Sequence, residues 1–376
     1  MYRKTVLLCL ISVSLIISSG CWDRVEIERN AFILGLAIDL NEDEDLVLTY
    51  QVALLDAFKG EDEEKSKSTQ EISITSGSLS QATNSLLTYL GNVPNFAHCK
   101  LIVFGEEYAK KGIKGSLDFL FRETRMRRTT TVCISEGQGK DIFKMESKMA
   151  PSPAMEIDQI ITENFPLNNS IFPFHDIGYL YRNFISGSDV CLIRVKPNKE
   201  TVSVSGAGVL KDFRLIGWYT EDEIQGQRYL LGEPGKGTMA TSVPWEKGGE
   251  ITLKSLDISS SVTPKMENNK MKIVTTIMVE GDIDEIENSK LGDDIKTPLK
   301  TWENAIEDNI RHIVHSCYEK GRDIYNADTF GIDKRVEAYY PKFWEANKGD
   351  WGNAFKNIDI DLTVDVKIRR LGVIGS

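Results

Sequence analysis

The chain lacks the residue constellations on which most enzymatic reactions depend. Its four histidines form no His-Glu-x-x-His run, there is no Gly-x-Ser-x-Gly elbow, and no carboxylate pair stands out by spacing. The six cysteines contain no Cys-x-x-Cys pair, which removes the commonest sequence sign of a zinc ribbon or a thiol redox site. A basic surplus is missing too. With a formal net charge of −11, composition offers no cationic face for phosphates, so nucleic acid is excluded as a partner and an anionic membrane is expected to repel the body.

Fragments that resemble chemistry read as structure. In GEPGKGT (232–238), Lys236 is followed by Gly237 rather than by Ser or Thr, so the stretch is a flexible loop and not a phosphate cradle. His312 and His315 lie three apart with Asp308 or Glu319 one turn away, but they flank the apolar stripe of a helix and read as its polar face. His98 precedes a buried strand and reads as a structural residue. Cys99, Cys133, Cys191 and Cys317 sit among apolar residues as free thiols, with a single disulfide as the alternative. Trp302, Trp344 and Trp351, with Tyr339, Tyr340 and Phe343, could line a ligand pocket, but core packing or a partner surface is the better reading. No catalytic residue, metal ligand or cofactor is assigned.

What is present starts at the N-terminus. Arg3 and Lys4 precede an apolar run from Thr5 to Ile17, and Ser18, Ser19 and Gly20 follow. The run is shorter than the ~20 residues that a spanning helix needs, so residues 1–20 read as a secretory leader. Small residues directly before Cys21 match a lipoprotein-processing box, in which Cys21 receives a diacylglyceryl group and becomes the new N-terminus. Ser18 departs from that box, which usually carries Leu there; a plain secreted protein and an uncleaved short anchor are the alternatives. Two long acyl chains, at ~0.8 kcal/mol per buried methylene, hold a protein on a bilayer stably.

Beyond Cys21 the pattern is α/β mixed (α+β), with mixed and antiparallel sheets packed with helices in about three domains. Alternation in AFILGLAIDL and LVLTYQVALL predicts a hairpin over 31–55, its first strand buried on both faces. Ser78 caps a helix with Leu79, Ala82, Leu86 and Leu90 on one face. KLIVFG and TTTVCIS read as buried strands, SLDFLFRETRMR as a helix, and 140–198 as mostly helical. The layout is a domain over 21–198, a small middle module over 199–247 and a C-terminal α/β domain over 248–376. The last holds a long helix over 298–320, capped by Thr297, with Trp302, Ile306, Ile310, Ile313 and Cys317 as its stripe. A half-buried antiparallel strand runs from Ile358 to Ile368.

Five stretches, in order, now stand together: CWDRVEI with LGLAIDL; AHCKLIVFGEEYAKKGIKGSLDFLFRETRMR; VSGAGVLKDFRLIGW; DTFGIDKRVEAYYPKFWEANKGDW; and VDVKIRRLG. Over nearly the whole chain after Cys21 they resemble the Ger(x)C family, the C subunits of spore germinant receptors, with Ser18, Tyr108 and Arg125 as departures. The resemblance implies a non-enzymatic lipoprotein on the outer face of the spore inner membrane. Its partners would be the multi-pass A- and B-type membrane subunits of a nutrient-responsive receptor. Candidate partner-contacting residues are Trp22, Asp23, Arg24, Glu106, Tyr340, Trp344 and Trp351. A different class of function, a solute-binding lipoprotein that captures the nutrient itself, is the alternative.

Overall fold

The computed structural model describes residues 2–3, 5, 29–54, 68–123, 125–164, 175–198, 202–232, 240–245, 249–286 and 299–370. Cys21, Trp22, Asp23, Arg24, Thr297, Pro298 and the loop 233–239 lie outside them, so the readings made on those positions do too.

Alternating apolar residues build β1 (Asn30–Leu40) and β2 (Leu46–Ala53), which pair antiparallel across the acidic turn. Asn41 closes that turn by accepting from the backbone N–H of Asp45 at 2.7 Å. β3 (Thr69–Ser76) adds to β2 and leads into α1 (Leu79–Leu90), which Ser78 caps and in which Leu79, Ala82 and Leu86 are buried. Then follow β4 (Val93–Asn95), β5 (Leu101–Phe104), α2 (Glu106–Lys111), α3 (Lys114–Arg122) and β6 (Thr131–Ser135). α3 ends at Arg122 rather than running on through Arg127, because Glu123 is extended and its side chain accepts from Arg125 N–H at 3.2 Å.

The stretch 140–198 is not mostly helical throughout. After α4 (Pro153–Gln159) and α5 (Ile177–Ser186) comes β7 (Val190–Pro197), whose apolar run fills a vacancy beside β6. β8 (Val202–Lys211) and β9 (Arg214–Tyr219) continue from β7, giving a nine-stranded sheet in the order β3-β2-β1-β5-β6-β7-β8-β9, with β4 paired to β1. β7 and β8, which flank Lys199 in sequence, are therefore hydrogen-bonded neighbours of one sheet. β1, β5, β6 and β7 run parallel at its centre, and both faces are covered, as such sheets require. On one face, a Cβ at Gly35 would lie 2.8 Å from both Ala154 and Phe143, so the bare backbone lets α4 close in.

α6 (Glu221–Leu231) carries the chain to a second sheet of β10 (Ala240–Trp245), β11 (Gly249–Glu267), β12 (Lys270–Ile286) and β13 (Asp359–Arg370). Between β12 and β13 lie α7 (Leu299–Glu319), α8 (Ile332–Tyr339), α9 (Pro341–Asn347) and α10 (Trp351–Lys356). α7 buries Trp302, Ile306, Ile310, Ile313, Val314, Cys317 and Tyr318, each side chain contributing about 1.5–3 kcal/mol. The helix does not stop at Gly321. It widens into a π-turn over Lys320–Tyr325, where a Cβ at Gly321 would meet the Tyr219 hydroxyl at 2.6 Å.

β13 pairs with β12 in parallel, not antiparallel. The half-buried alternation is as predicted, but the chain returns through a helical crossover, and a crossover delivers a parallel neighbour. One apolar core runs without a break from the α4 face of the large sheet through Tyr219, Tyr229 and α7 to β11 and β12. The four described cysteines are buried within it or within the core on the opposite face, and are free.

Candidate functional site

The feature that ties the two sheets together is a buried acidic junction built on DTFGID. α8 begins with N–H groups that have no partner inside the helix, and Asp328 supplies it. Its Oδ1 accepts from Phe330 N–H at 3.2 Å and Ile332 N–H at 3.1 Å, and its Oδ2 from Asp333 N–H at 2.7 Å. Gly331, with φ of +66°, lets the chain turn between them. A fourth donor comes from α10, where the Trp351 indole N–H reaches Oδ2 at 3.0 Å.

The large sheet joins at the start of β7. Ser188 donates to Asp333 Oδ2 at 2.7 Å, and Asp189 Oδ2 accepts from the Asp328 backbone N–H at 3.0 Å. Burial, with the Asp333 carboxylate beside it, pushes the Asp328 carboxyl up to about 7 against its four N–H donors. Burial likewise pushes Asp189 up to about 6. Nearby, Lys320 donates to Glu223 at 2.7 Å and to the Trp218 carbonyl at 3.1 Å, and Tyr325 Oη donates to that carbonyl at 2.9 Å. These contacts cover part of the open edge of β9. The arrangement has no open cleft and no exposed nucleophile; its chemistry suits holding two units in register.

The aromatic candidates fall around this junction but face mostly inward. Trp351 is used by Asp328, Trp344 meets Trp351 edge-on at 5.1 Å, and the Tyr340 hydroxyl accepts from Met266 N–H at 3.2 Å. All three are half-buried, and Tyr339, 63% exposed, is the aromatic that the segment presents. Glu106 is elsewhere, just past the C-terminal end of β5. It accepts from Gly137 N–H at 2.9 Å and pairs with Lys110 at 2.8 Å. Burial opposes its ionisation, but these two partners outweigh it and lower its pKa. Asp189, Ser188 and Asp333 were not singled out from sequence; the only local sign is an aspartate at each end of DTFGID, two of whose partners come from residues 188 and 189.

Elsewhere, His98 is exposed with its ring against Phe32, His312 is exposed and His315 half-buried on α7. Among the described residues no group of three His, Cys, Asp or Glu side chains is placed to hold a metal. An open groove of about 670 Å³ lies between the β1–β2 turn, the start of α1 and α3, lined in part by Leu46, Leu79, Tyr108 and Phe119. Two of its cations are paired, Lys111 with Glu44 at 3.1 Å and Arg122 with Asp118 at 2.7 Å.

Comparison with known proteins accounts for both sheets. A family described as spore germination protein N-terminal domain matches residues 23–197, and one described as spore germination B3/GerAC like, C-terminal, matches residues 205–372. The chain belongs to the Ger(x)C family of spore germination proteins. Relatives of this Ger(x)C chain include spore germination protein B3 of Bacillus subtilis (strain 168), 25% identical over 95% of each chain. Spore germination protein A3 of the same organism is 26% identical over 99% of each. The crystal structure of the GerBC protein shares the fold, with a TM-score of 0.60 at 23% identity over 89% of this chain and 97% of that one. The first match ends with β7 and the second begins inside β8, so the Ger(x)C N- and C-terminal regions share the large sheet, where these two strands pair.

Proposed function

We propose that this Ger(x)C chain is the lipid-anchored, non-enzymatic C subunit of a nutrient germinant receptor, held at the outer face of the spore inner membrane through Cys21. There it assembles with the multi-pass A- and B-type subunits and couples their response. The observation that carries the reading is the pair of collinear family matches over 23–197 and 205–372, which leave only residues 1–22, 198–204 and the last four residues outside them. The junction of Asp328, Asp333 and Asp189 supports a coupling role, because it ties β7 to α8 and α10 through side chains that exchange hydrogen bonds over 139 and 145 positions of sequence. The WDR segment at Trp22–Arg24, Glu106 and the Tyr340, Trp344 and Trp351 region remain our proposed partner contacts.

Replacing Cys21 by Ala tests the anchor. The variant is expected to fold but to leave the membrane fraction of spores, with loss of the germination response; membrane retention with a normal response would sink the reading. A second reading, nutrient capture by this chain, has the 670 Å³ groove as its place, a volume within the usual range for small-molecule pockets. A saturable thermal shift by a defined amino acid or sugar, lost in a Phe119→Ala variant, would favour it.

A further inference from the structure

Because β1, β5, β6 and β7 run parallel, their N-terminal ends share one edge of the large sheet and their C-terminal ends the other. The two edges differ in charge. At the N-terminal edge, Lys100 precedes β5, and Arg125, Arg127 and Arg128 precede β6; all four are exposed. α5 docks there too, donating Ile177 N–H to the Thr130 carbonyl at 3.1 Å, and Tyr181 on it lies 4.3 Å below the Arg128 guanidinium. Among the described residues, the carboxylates paired with these four are Asp158, 3.6 Å from Lys100, and Glu123, 3.6 Å from Arg125. Of the others on this edge, Asp176 caps α5, and Asp189, Asp328 and Asp333 are turned into the junction at the start of β7. At the C-terminal edge stand the exposed turn Glu42–Asp45 after β1, Glu106 and Glu107 after β5, and Glu136 after β6, offset by Lys111, Lys110 and Lys196.

Net charge averages over these edges and hides the difference between them. The N-terminal edge is also where the chain enters. β1 starts at Asn30, nine positions after Cys21, and nine extended residues reach at most about 30 Å. A tether at Cys21 therefore keeps the basic edge near a bilayer, within reach of its surface potential once a Debye length of about 8 Å is approached. Tyr89, 69% exposed near the end of α1 just ahead of β4, adds an amphipathic ring of the kind that settles among headgroups.

We propose that this basic edge is a lipid-facing surface, with Arg125, Arg127 and Arg128 against the phosphates of anionic lipids and the acidic edge turned away from the bilayer. The proposal rests on the Cys21 anchor for its tether, and the test separates the two. The full chain carries a fluorophore on a single introduced cysteine, Thr129→Cys or Asp43→Cys; the four described native cysteines are buried and so label slowly. It is mixed with phosphatidylcholine vesicles containing a headgroup quencher, with or without phosphatidylglycerol. Mass analysis of the Cys21 peptide reports acylation, and that of the labelled peptides shows that the fluorophore sits on the introduced cysteine and not on Cys9 or an unacylated Cys21.

Quenching is expected at Thr129 on anionic vesicles only, and not at Asp43. It should weaken roughly five-fold for each basic charge removed near the surface, in Arg127→Glu/Arg128→Glu and more mildly in Arg127→Gln/Arg128→Gln, which guards against misfolding. An acylated chain quenched equally at both probes, or equally on neutral lipid, keeps the anchor and overturns the lipid-facing edge. An unacylated chain still quenched at Thr129 on anionic vesicles supports the edge and sinks the anchor. An unacylated chain with no quenching sinks both.

Discussion

The indole N–H of Trp351 donates to the carboxylate of Asp328 at 3.0 Å, and that carboxylate also accepts three backbone N–H groups at the start of α8. One side chain thus satisfies four donors in a place that water does not reach. Removing it leaves several of them unmatched, each costing about 1–3 kcal/mol. Asp328→Ala is expected to lower stability by about 3–5 kcal/mol in urea unfolding. Trp351→Phe keeps an aromatic ring but loses the indole N–H, and should cost about 1–2 kcal/mol. Equal losses in the two variants would show that the carboxylate does no more than receive the indole.

Asp189 gives the junction a pH dependence. Its folded pKa is raised to about 6 by burial, against about 3.9 in an unfolded chain. A raised carboxyl pKa means that the folded state binds the proton more tightly. The contribution is fully present below pH ~4 and is lost as pH rises through about 6, amounting to about 3 kcal/mol at full shift. Asp189→Asn keeps an acceptor for the Asp328 N–H and cannot ionise. Its melting temperature should exceed the parent's at pH 8, and the gap should close by about pH 4. A gap that ignores pH would mean that ionisation is not what burial of Asp189 opposes.

How much of this was legible depended on whether a residue's partner is local. β1, α1 and α7 could be read because burying one face or both prints a period on the sequence, and Leu79, Ala82 and Leu86 or Trp302, Ile306 and Ile310 lie where that period puts them. The direction of β13 could not, since Val364, Val366 and Ile368 alternate alike beside a parallel or an antiparallel neighbour. Val190–Pro197 was hidden as a strand because a short apolar run after a helix fits either element. Asp189 and Asp328 stand 139 positions apart, so nothing near either one announces the junction. The basic cluster at one edge of the sheet and the acidic one at the other likewise come together only once four strands are known to be parallel.

Close approach of two helices makes Gly226 a sensitive position. A Cβ there would lie 2.5 Å from the Ile313 carbonyl oxygen and 3.1 Å from Cys317 Cβ, so α6 and α7 touch backbone to backbone. On an exposed helix, Ala in place of Gly gains about 1 kcal/mol. Here overpacking should win, and Gly226→Ala is expected to cost about 1–3 kcal/mol in thermal or urea unfolding. A stabilised variant would mean that the helices separate freely, and the coupling assigned to this layer would lose its rigid element.

The outer edge of β13 is closed by side chains instead of by a strand. Ile368 N–H donates to Glu303 at 3.1 Å, Val366 N–H to Glu307 at 3.4 Å, and Arg311 donates to the Val364 carbonyl at 3.2 Å. All three capping residues come from α7, and Lys300 lies 3.5 and 3.6 Å from the two glutamates. Unpaired edge groups recruit other strands, and charged cover is a common defence. In a Glu303→Ala/Glu307→Ala variant the helix should persist, because Ala is a good helix former, while the edge of β13 opens. We expect greater self-association than the parent in sedimentation velocity, with near-parental circular dichroism. Glu303→Gln/Glu307→Gln retains the acceptor oxygens and should sediment as the parent does. Equal self-association of the alanine variant and the parent would show that the carboxylates are not what keeps this edge unpaired.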